Sequence, residues 1–237
     1  MYKHEPMGGG YYDDDDYVGD LRRGFVKKVY GILASTLSFT VLLCILPTSS
    51  KGVQDYFRDN IWIVILFSVL SIIPLYSLFC FQSLARRVPI NYILLFSFVL
   101  CESVIVAYAC AAVGDPKLVL IAALMTMGIT IVLTIFACTV KIDFTICYGI
   151  LFVFVGTLLL FGIFAIIFQS EVLYITYISL GILVYGMYLI IDTQLICGGK
   201  TWELTEDDYI IGALILYIDI IVLFLKILEL IARAKNS

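Results

Sequence analysis

The sequence is short of histidine and of cysteine motifs, and both shortages exclude classes of site. His4 is the only histidine among 237 residues, which excludes histidine-based zinc sites and Ser/His or Cys/His catalysis. The seven cysteines lack CxxC spacing and fall in or at the ends of apolar runs, which argues against a metal site or a disulfide framework. We therefore expect no cofactor and no enzyme activity.

Charge is scarce as well. Only 14% of the residues are charged, 62% are hydrophobic, and the mean hydropathy is +1.05, whereas soluble domains are roughly half apolar. Residues 1–20, with four consecutive aspartates and no apolar stretch, are predicted to be a disordered acidic tail without a signal peptide. The first helix would then serve as an uncleaved insertion signal. The acidic pI comes from this tail and the loops, so it indicates no nucleic-acid partner.

Seven apolar runs follow the tail, each near the roughly 20 residues that cross a bilayer. They predict an all-α integral membrane domain over 21–237, and the short connectors leave no room for a soluble domain. The Lys and Arg residues number nine on the N-terminal side and six on the other, which predicts a cytosolic N-terminus and a lumenal C-terminus. The predicted helices cover residues 25–46, 61–80, 90–112, 117–140, 144–168, 173–197 and 209–230.

Three acidic residues fall inside these runs: Glu102, Asp192 and Asp219. A charged side chain at the centre of a membrane helix costs about 2.5 to 3.5 kcal/mol, so each acid needs a partner or a purpose. Asp192 comes five residues before the end of the sixth run and Asp219 ten after the start of the seventh. At 1.5 Å rise per residue their depths are roughly 8 and 15 Å from the shared loop, close enough for the two carboxyls to meet.

A meeting would make the two aspartates a proton sensor. Two carboxylates at hydrogen-bond distance in a low dielectric cannot both stay charged, so one proton would be shared. Their oxygens are also ligands that Ca²⁺ prefers, which makes transient Ca²⁺ contact, not a firm metal site, the expectation. The alternative is two separate structural acids, each hydrogen-bonded to a hydroxyl such as Thr193, Tyr209 or Tyr217.

Other charged residues carry weaker signals. For Glu102, structural pairing and pore lining stay equally open. Lys226 and Glu229 are spaced as a helical i,i+3 ion pair, and we expect them to reach the membrane interface together. Thr205 and Asp208 have the spacing of a capping box before the last helix.

Three segments resemble the transmembrane BAX inhibitor motif family, in its Lifeguard-like branch. GFVKKVYGILASTL (24–37) is similar to the start of the family's first helix, and TVKIDFT (139–145) to the turn before its fifth. The most specific segment is IIDTQLICGGKTWELTEDDYIIGALILYIDIIVLFLKIL (190–228), which resembles the family's DTQ motif, its loop and its LY-x-D motif. The resemblance covers about residues 21 to 235.

The resemblance implies a seven-helix bundle with the seventh helix at its centre. It also implies a pH-sensitive calcium leak in the endoplasmic reticulum, Golgi or related membranes, which modulates cell death alongside death-regulator membrane proteins. The family's di-aspartyl sensor corresponds to Asp192 and Asp219. The arginine that latches such a pair has Arg86 and Arg87 as its nearest candidates. Lys226 departs from the family, which usually has an uncharged aromatic residue there.

Two other functions remain open. A membrane protein that regulates death-pathway partners without conducting ions would use the same bundle. An intramembrane aspartyl protease also places one aspartate on each of two neighbouring helices, but Asp219 lies in LYID without the glycines of a GxGD motif.

Overall fold

The structure, a computed structural model, describes residues 14–236 of the chain. The described part is helical, with short 3₁₀ turns at Thr145–Cys147 and Glu206–Asp208. Its α-helices are α1 Asp14–Ser49, α2 Lys51–Asp59, α3 Trp62–Cys80, α4 Gln82–Ala85, α5 Ile90–Val113, α6 Pro116–Thr139, α7 Tyr148–Phe168, α8 Glu171–Cys197 and α9 Tyr209–Asn236.

Seven of these helices, α1, α3 and α5 to α9, are long and apolar enough to cross a membrane, which confirms the predicted seven-span bundle. The predicted end of the tail at residue 20 is wrong, because α1 already begins at Asp14. Residues 14–20, which the composition assigned to the tail, therefore belong to α1. The remainder of the predicted tail, residues 1–13, lies outside the described residues.

Helix α9 is the centre of the bundle. In its most apolar stretch 61% of the residues are buried, against 11 to 44% in the other six spans. Helices α1, α5, α6 and α8 pack around it, while α3 packs mainly on α5 and α7 mainly on α8. This arrangement confirms the central seventh span. Apolar residues on several faces of a helix favour such a position, because each of those faces can pack against a neighbouring helix.

The connector between the first two spans contains a helix that the sequence analysis treated as loop. Helix α2 turns Val53 and Phe57, one turn apart, toward the protein, and both are half-buried. The Gln54 side chain donates a hydrogen bond to the carbonyl of Ala111 at 3.3 Å. Helix α2 therefore lies across the end of α5.

The seven spans define two faces. The start of α1 lies on one face with the connectors 81–89, 140–147 and 198–208, and we name it the N-terminal face. The end of α9 lies on the opposite face with the connectors 50–61, 114–115 and 169–170, and we name it the C-terminal face.

Candidate functional site

The structure brings Asp192 and Asp219 together in the interior of the bundle. They lie on α8 and α9, which form the most extensive helix contact in the described structure. The two side chains are only 3% and 5% exposed, and their carboxyl groups lie within hydrogen-bonding reach of each other. Two carboxyls can share such a contact only through a proton, because each is otherwise an acceptor.

The unequal depths expected for the two aspartates are reduced by an offset between their helices. Gly212 lies level with Ile196: a Cβ at residue 212 would be 3.4 Å from Ile196 Cγ1. Since Gly212 is three residues into α9 and Ile196 is one residue from the end of α8, α9 starts about 3 Å closer to the N-terminal face. The expected difference of roughly 7 Å falls to about 4 Å, which the side chains can span.

Each aspartate also has an oxygen without a partner. Asp192 Oδ1 and Asp219 Oδ2 are buried, and no described residue offers either a hydrogen bond. A buried polar atom without a partner costs roughly 1 to 3 kcal/mol. A proton shared between these two oxygens would remove that cost, so the buried pair favours the singly protonated state.

The two tyrosine hydroxyls expected to satisfy separate aspartates bond elsewhere, and Thr193 Oγ1 has no hydrogen-bond partner among the described residues. Tyr217 Oη is 2.9 Å from Thr40 Oγ1 on α1, and Tyr209 Oη accepts a hydrogen bond from Asn91 Nδ2 at 3.1 Å. Thr193 is directed toward α1. The separate-acid alternative is therefore wrong for these partners, and the two carboxyls are left to each other.

Tyrosine rings surround the pair on the side of the C-terminal face. Tyr188 and Tyr185 lie one and two turns before Asp192 on α8, with ring centroids 6.1 Å apart. Tyr148 of α7 meets Tyr188 edge-on at 5.9 Å, and both rings are within electrostatic range of the two aspartates. These rings separate the carboxyls from lipid, so an unshared charge on the pair would be poorly solvated.

On the N-terminal face, the connectors 140–147 and 198–208 cover the pair, and we call them the connector cap. Gln194, two residues after Asp192, ties α8 to this cap: its Oε1 accepts from Phe144 N at 2.9 Å and its Nε2 donates to Ile142 O at 3.0 Å. Lys200 Nζ lies 3.1 Å from each of three carbonyl oxygens, those of residues 140 to 142. One ammonium thus binds three consecutive carbonyls of the connector that follows α6.

Asp143 joins the two halves of the connector cap. Its Oδ1 accepts from the backbone N and the hydroxyl of Thr145 at 2.9 and 2.6 Å, and its Oδ2 accepts from Thr201 N at 2.8 Å. These hydrogen bonds, those of Thr145 first and those of Thr201 next, lower the pKa of Asp143 below its ordinary range. Asp143 therefore fixes the start of the 3₁₀ turn that leads into α7.

Comparison with known proteins decides the family. Residues 22–236 match the family model described as "Inhibitor of apoptosis-promoting Bax1". The chain belongs to this family. It is 32% identical to protein lifeguard 3 of Mus musculus over 95% of this chain and 78% of the relative, and 31% identical to protein lifeguard 3 of Homo sapiens over 95% and 72%. Protein lifeguard 4 of Mus musculus is 32% identical over 92% of this chain and 88% of the relative. The resemblance inferred from the motifs is confirmed.

The helices that carry the aspartates are also held by Arg22, an arginine whose position in the sequence indicated only its contribution to topology. Arg22 of α1 donates to Leu204 O at 2.6 Å and to Leu195 O at 2.8 Å, and its guanidinium lies 3.9 Å from the Glu203 carboxylate. Gly198, with φ of 75°, packs directly on it, because a Cβ there would lie 2.6 Å from the guanidinium. Arg22 therefore fastens the end of α8 and the loop that follows.

Arg86 has a different partner from the one predicted. Its guanidinium forms two hydrogen bonds with the Asp208 carboxylate at 2.9 and 3.1 Å, which raise the pKa of Arg86. Asp208 also accepts from the Thr205 hydroxyl at 2.5 Å, so these two residues bond through their side chains and the predicted capping box is wrong. Arg87 is exposed. The expected latch arginine thus holds the start of α9 and not the aspartate pair.

The other intramembrane charges lie apart from the pair. Glu102 of α5 is half-buried and within hydrogen-bonding reach of Ser71 on α3. The predicted Lys226–Glu229 ion pair is wrong: Lys226 Nζ lies over the Tyr177 ring at 4.1 Å, and Glu229 accepts from the Tyr174 hydroxyl at 2.5 Å. Both residues turn toward α8 and not toward the membrane interface.

Two cavities flank the bundle. An apolar groove of about 520 Å³ runs between α1 and α6, with Ile220, Ile221 and Phe224 of α9 among its lining residues. A cavity of about 580 Å³ on the C-terminal face has charged lining residues. Neither cavity is lined by Asp192 or Asp219, so both leave the pair enclosed. The charged residues of the second cavity are Asp115, Glu171, Glu229, Arg233 and Lys235.

Proposed function

We propose that this protein is a slow, proton-regulated calcium leak in which Asp192 and Asp219 form the gate. The observation that carries the proposal is that two buried carboxyls on neighbouring membrane helices lie within reach of each other, and that one buried oxygen of each receives no hydrogen bond from another described residue. A purely structural pair would be expected to satisfy all four oxygens. The unpartnered oxygens are available to a proton or a cation.

The physical basis of the gate is repulsion between like charges. Two unit charges about 4 Å apart repel by roughly 4 kcal/mol at an effective dielectric constant of 20. With one shared proton the pair carries a single charge and a hydrogen bond holds α8 to α9. When that proton leaves, the carboxylates either separate or admit a cation between them.

Calcium is the cation that suits this chemistry. Ca²⁺ binds carboxylate oxygens in flexible geometries, and two carboxylates alone are too few for its usual six to eight ligands. Among the described residues no group of three or more His, Cys, Asp or Glu side chains is placed to hold a metal ion. The proposal is therefore transient contact with a passing ion, and Ca²⁺ is a transported ion, not a cofactor.

The cellular setting belongs to the same proposal. The bilayer would be an internal membrane of the endoplasmic reticulum or Golgi type, with the N-terminal face in the cytosol. The family description links these proteins to inhibition of apoptosis. A change in stored calcium is the route by which we propose that this chain modulates cell death, alongside death-regulator membrane partners and without enzymatic activity.

Purified protein in liposomes loaded with a calcium dye tests the proposal. We expect flux above that of empty liposomes, with a pH response between about pH 6 and pH 8 that Asp192→Asn and Asp219→Asn each abolish. Glu102→Gln is the matched control, because it removes an intramembrane acid on another helix, and it should keep the pH response. Flux equal to that of empty liposomes at every pH would favour the non-conducting regulator. An unchanged pH response in both aspartate variants would refute the assignment of the gate.

A further inference from the structure

A polar seam runs from the aspartate pair toward the C-terminal face. On α8 the residues Tyr174, Tyr177, Gly181, Tyr185 and Tyr188 precede Asp192 at steps of three and four, so they share one helix face with it. We call these residues the tyrosine seam.

Helix α9 places charges opposite the tyrosine seam at intervals of seven residues: Asp219, Lys226 and Arg233. Seven residues are two turns, so the three side chains leave the helix in nearly the same direction. Lys226 Nζ lies 4.1 Å from the centroid of the Tyr177 ring, and the Arg233 guanidinium lies 3.8 Å from that of Tyr174.

Gly181 on α8 leaves space for the side chain of Lys226. The Lys226 Cδ and Cε atoms would each lie 3.4 Å from a Cβ at residue 181, so a larger residue would press on the lysine stem. The Tyr177 ring in turn leans over Gly162 of α7, where a Cβ would come within 2.9 Å of it. Two glycines on two helices therefore accommodate one Lys–Tyr stack between α7, α8 and α9.

This site is unusual for a lysine. It lies about 15 Å along α9 from the end of that helix, and about 10 Å beyond Asp219. A lysine near a membrane interface normally extends its ammonium toward water, whereas this one holds its ammonium over a ring inside the helix contact. The stack with Tyr177 supplies a cation–π contact in place of hydration.

We propose that Lys226 is the residue that sets the valence selectivity of ion passage along the tyrosine seam, as a fixed positive charge between the aspartate pair and the C-terminal face. The proposal rests on the leak function proposed above and identifies the part of the path that discriminates between ions. Electrostatic repulsion is proportional to the charge of the passing ion, so Lys226 opposes a divalent cation twice as strongly as a monovalent one.

The proportionality between repulsion and ion charge gives a quantitative expectation for the two fluxes. A barrier term that doubles for a divalent ion changes its rate by the square of the change for a monovalent ion. If Lys226→Met raises K⁺ flux about threefold, Ca²⁺ flux should rise about ninefold, and the ratio of Ca²⁺ to K⁺ flux about threefold. Lys226→Arg keeps the charge and should keep the wild-type ratio.

The experiment measures K⁺ and Ca²⁺ flux in parallel liposome samples for wild type, Lys226→Met, Lys226→Gln and Lys226→Arg. Lys28→Met is the matched control, because Lys28 Nζ also lies over a tyrosine ring, that of Tyr209 at 3.2 Å, but on the N-terminal face and outside the seam. Size-exclusion profiles establish that each variant is folded. If Lys226→Met fails to fold, the comparison of Lys226→Gln with Lys226→Arg decides the question.

The outcomes separate the two proposals. A ratio that rises in the uncharged variants and stays at the wild-type value in Lys226→Arg and Lys28→Met supports the role of Lys226. Equal increases for K⁺ and Ca²⁺, or no change in a conducting protein, overturn that role and leave the leak intact. Absence of flux in the wild type and in every variant overturns both proposals.

Discussion

Replacement of Arg22 by methionine should destabilise the protein because it releases the loop that joins the aspartate helices. The arginine donates two short hydrogen bonds to Leu195 O and Leu204 O, and only 17% of its side chain is exposed. Hydrogen bonds from a charged donor contribute about 1.5 to 3 kcal/mol each, and water can replace part of that at a loop. We expect a loss of about 2 to 4 kcal/mol in total.

For a domain of 150 to 250 residues, 1 kcal/mol corresponds to roughly 2 to 4 °C in Tm, so Arg22→Met should lower Tm by roughly 4 to 16 °C. Thermal unfolding of the purified protein in one detergent, followed by tryptophan fluorescence, measures this shift. Arg22→Lys keeps the charge but cannot donate to both carbonyls with the geometry of a guanidinium. Its Tm should therefore lie between those of wild type and Arg22→Met.

The neighbouring arginine is the control. Arg23 pairs with Asp20 at 3.3 Å, but their side chains are 79% and 76% exposed, and such pairs contribute about 0 to 1 kcal/mol. Arg23→Met removes the same charge one residue away and should shift Tm by no more than about 3 °C. Equal shifts for Arg22→Met and Arg23→Met would refute the argument, because the loss would then follow from charge and not from the two carbonyl bonds.

Two further predictions concern the N-terminal face. The pKa of Asp143 is lowered in the folded protein, so its stabilising effect is present above the unfolded pKa of about 4 and is lost as pH falls through the lower folded value. Asp143→Asn should therefore lower Tm at neutral pH, with a difference from wild type that shrinks only below about pH 4. Separately, Cys138 Sγ and Cys197 Sγ lie 3.0 Å apart, so a thiol-specific oxidant that takes up two hydrogens should join them in a disulfide, detected as a cross-linked peptide by mass spectrometry.

Each of these two predictions has a matched control. Lys141→Met removes an exposed charge near Asp143 and should leave the pH profile of Tm unchanged; the same profile for wild type and Asp143→Asn would contradict the role of the carboxylate. For the thiols, Cys138→Ser should abolish the cross-link, and the exposed Cys80 should not replace Cys138 as a partner. Cross-linking of Cys197 to Cys80 would contradict the placement of α6 beside α8.

The spans were predictable because hydrophobicity over about 20 residues is a local property. Their predicted ends mostly lie within a few residues of the helices in the structure, and Asp192 and Asp219 were identifiable because charge in a membrane is costly. The exception is α1, whose first turn is polar and aspartate-rich, so composition alone could not separate helix from tail.

Partners across the bundle were not predictable, because they depend on helix offset and on loop conformation. Arg22 and Arg23 are equivalent in sequence, yet only Arg22 reaches the carbonyls beyond α8. Lys226 and Glu229 have ideal spacing for an ion pair, but each finds a tyrosine on α8 instead. Helix α2, by contrast, could have been predicted, because its apolar residues Val53 and Phe57 are spaced one helical turn apart.

The contacts of the connector cap limit how the aspartate pair can open. Gln194 and Leu195 are fixed within one turn of Asp192, and the Arg86 bond to Asp208 holds the loop at the start of α9. Translation of either helix at this end would break these bonds, at about 1 kcal/mol or more for each. Rotation of the aspartate side chains about their χ1 bonds breaks only the contact between the carboxyls. In the gate proposed above, loss of a shared proton would therefore act first on side-chain orientation, and the helices would separate most easily at the C-terminal face, where α8 and α9 meet through the tyrosine rings.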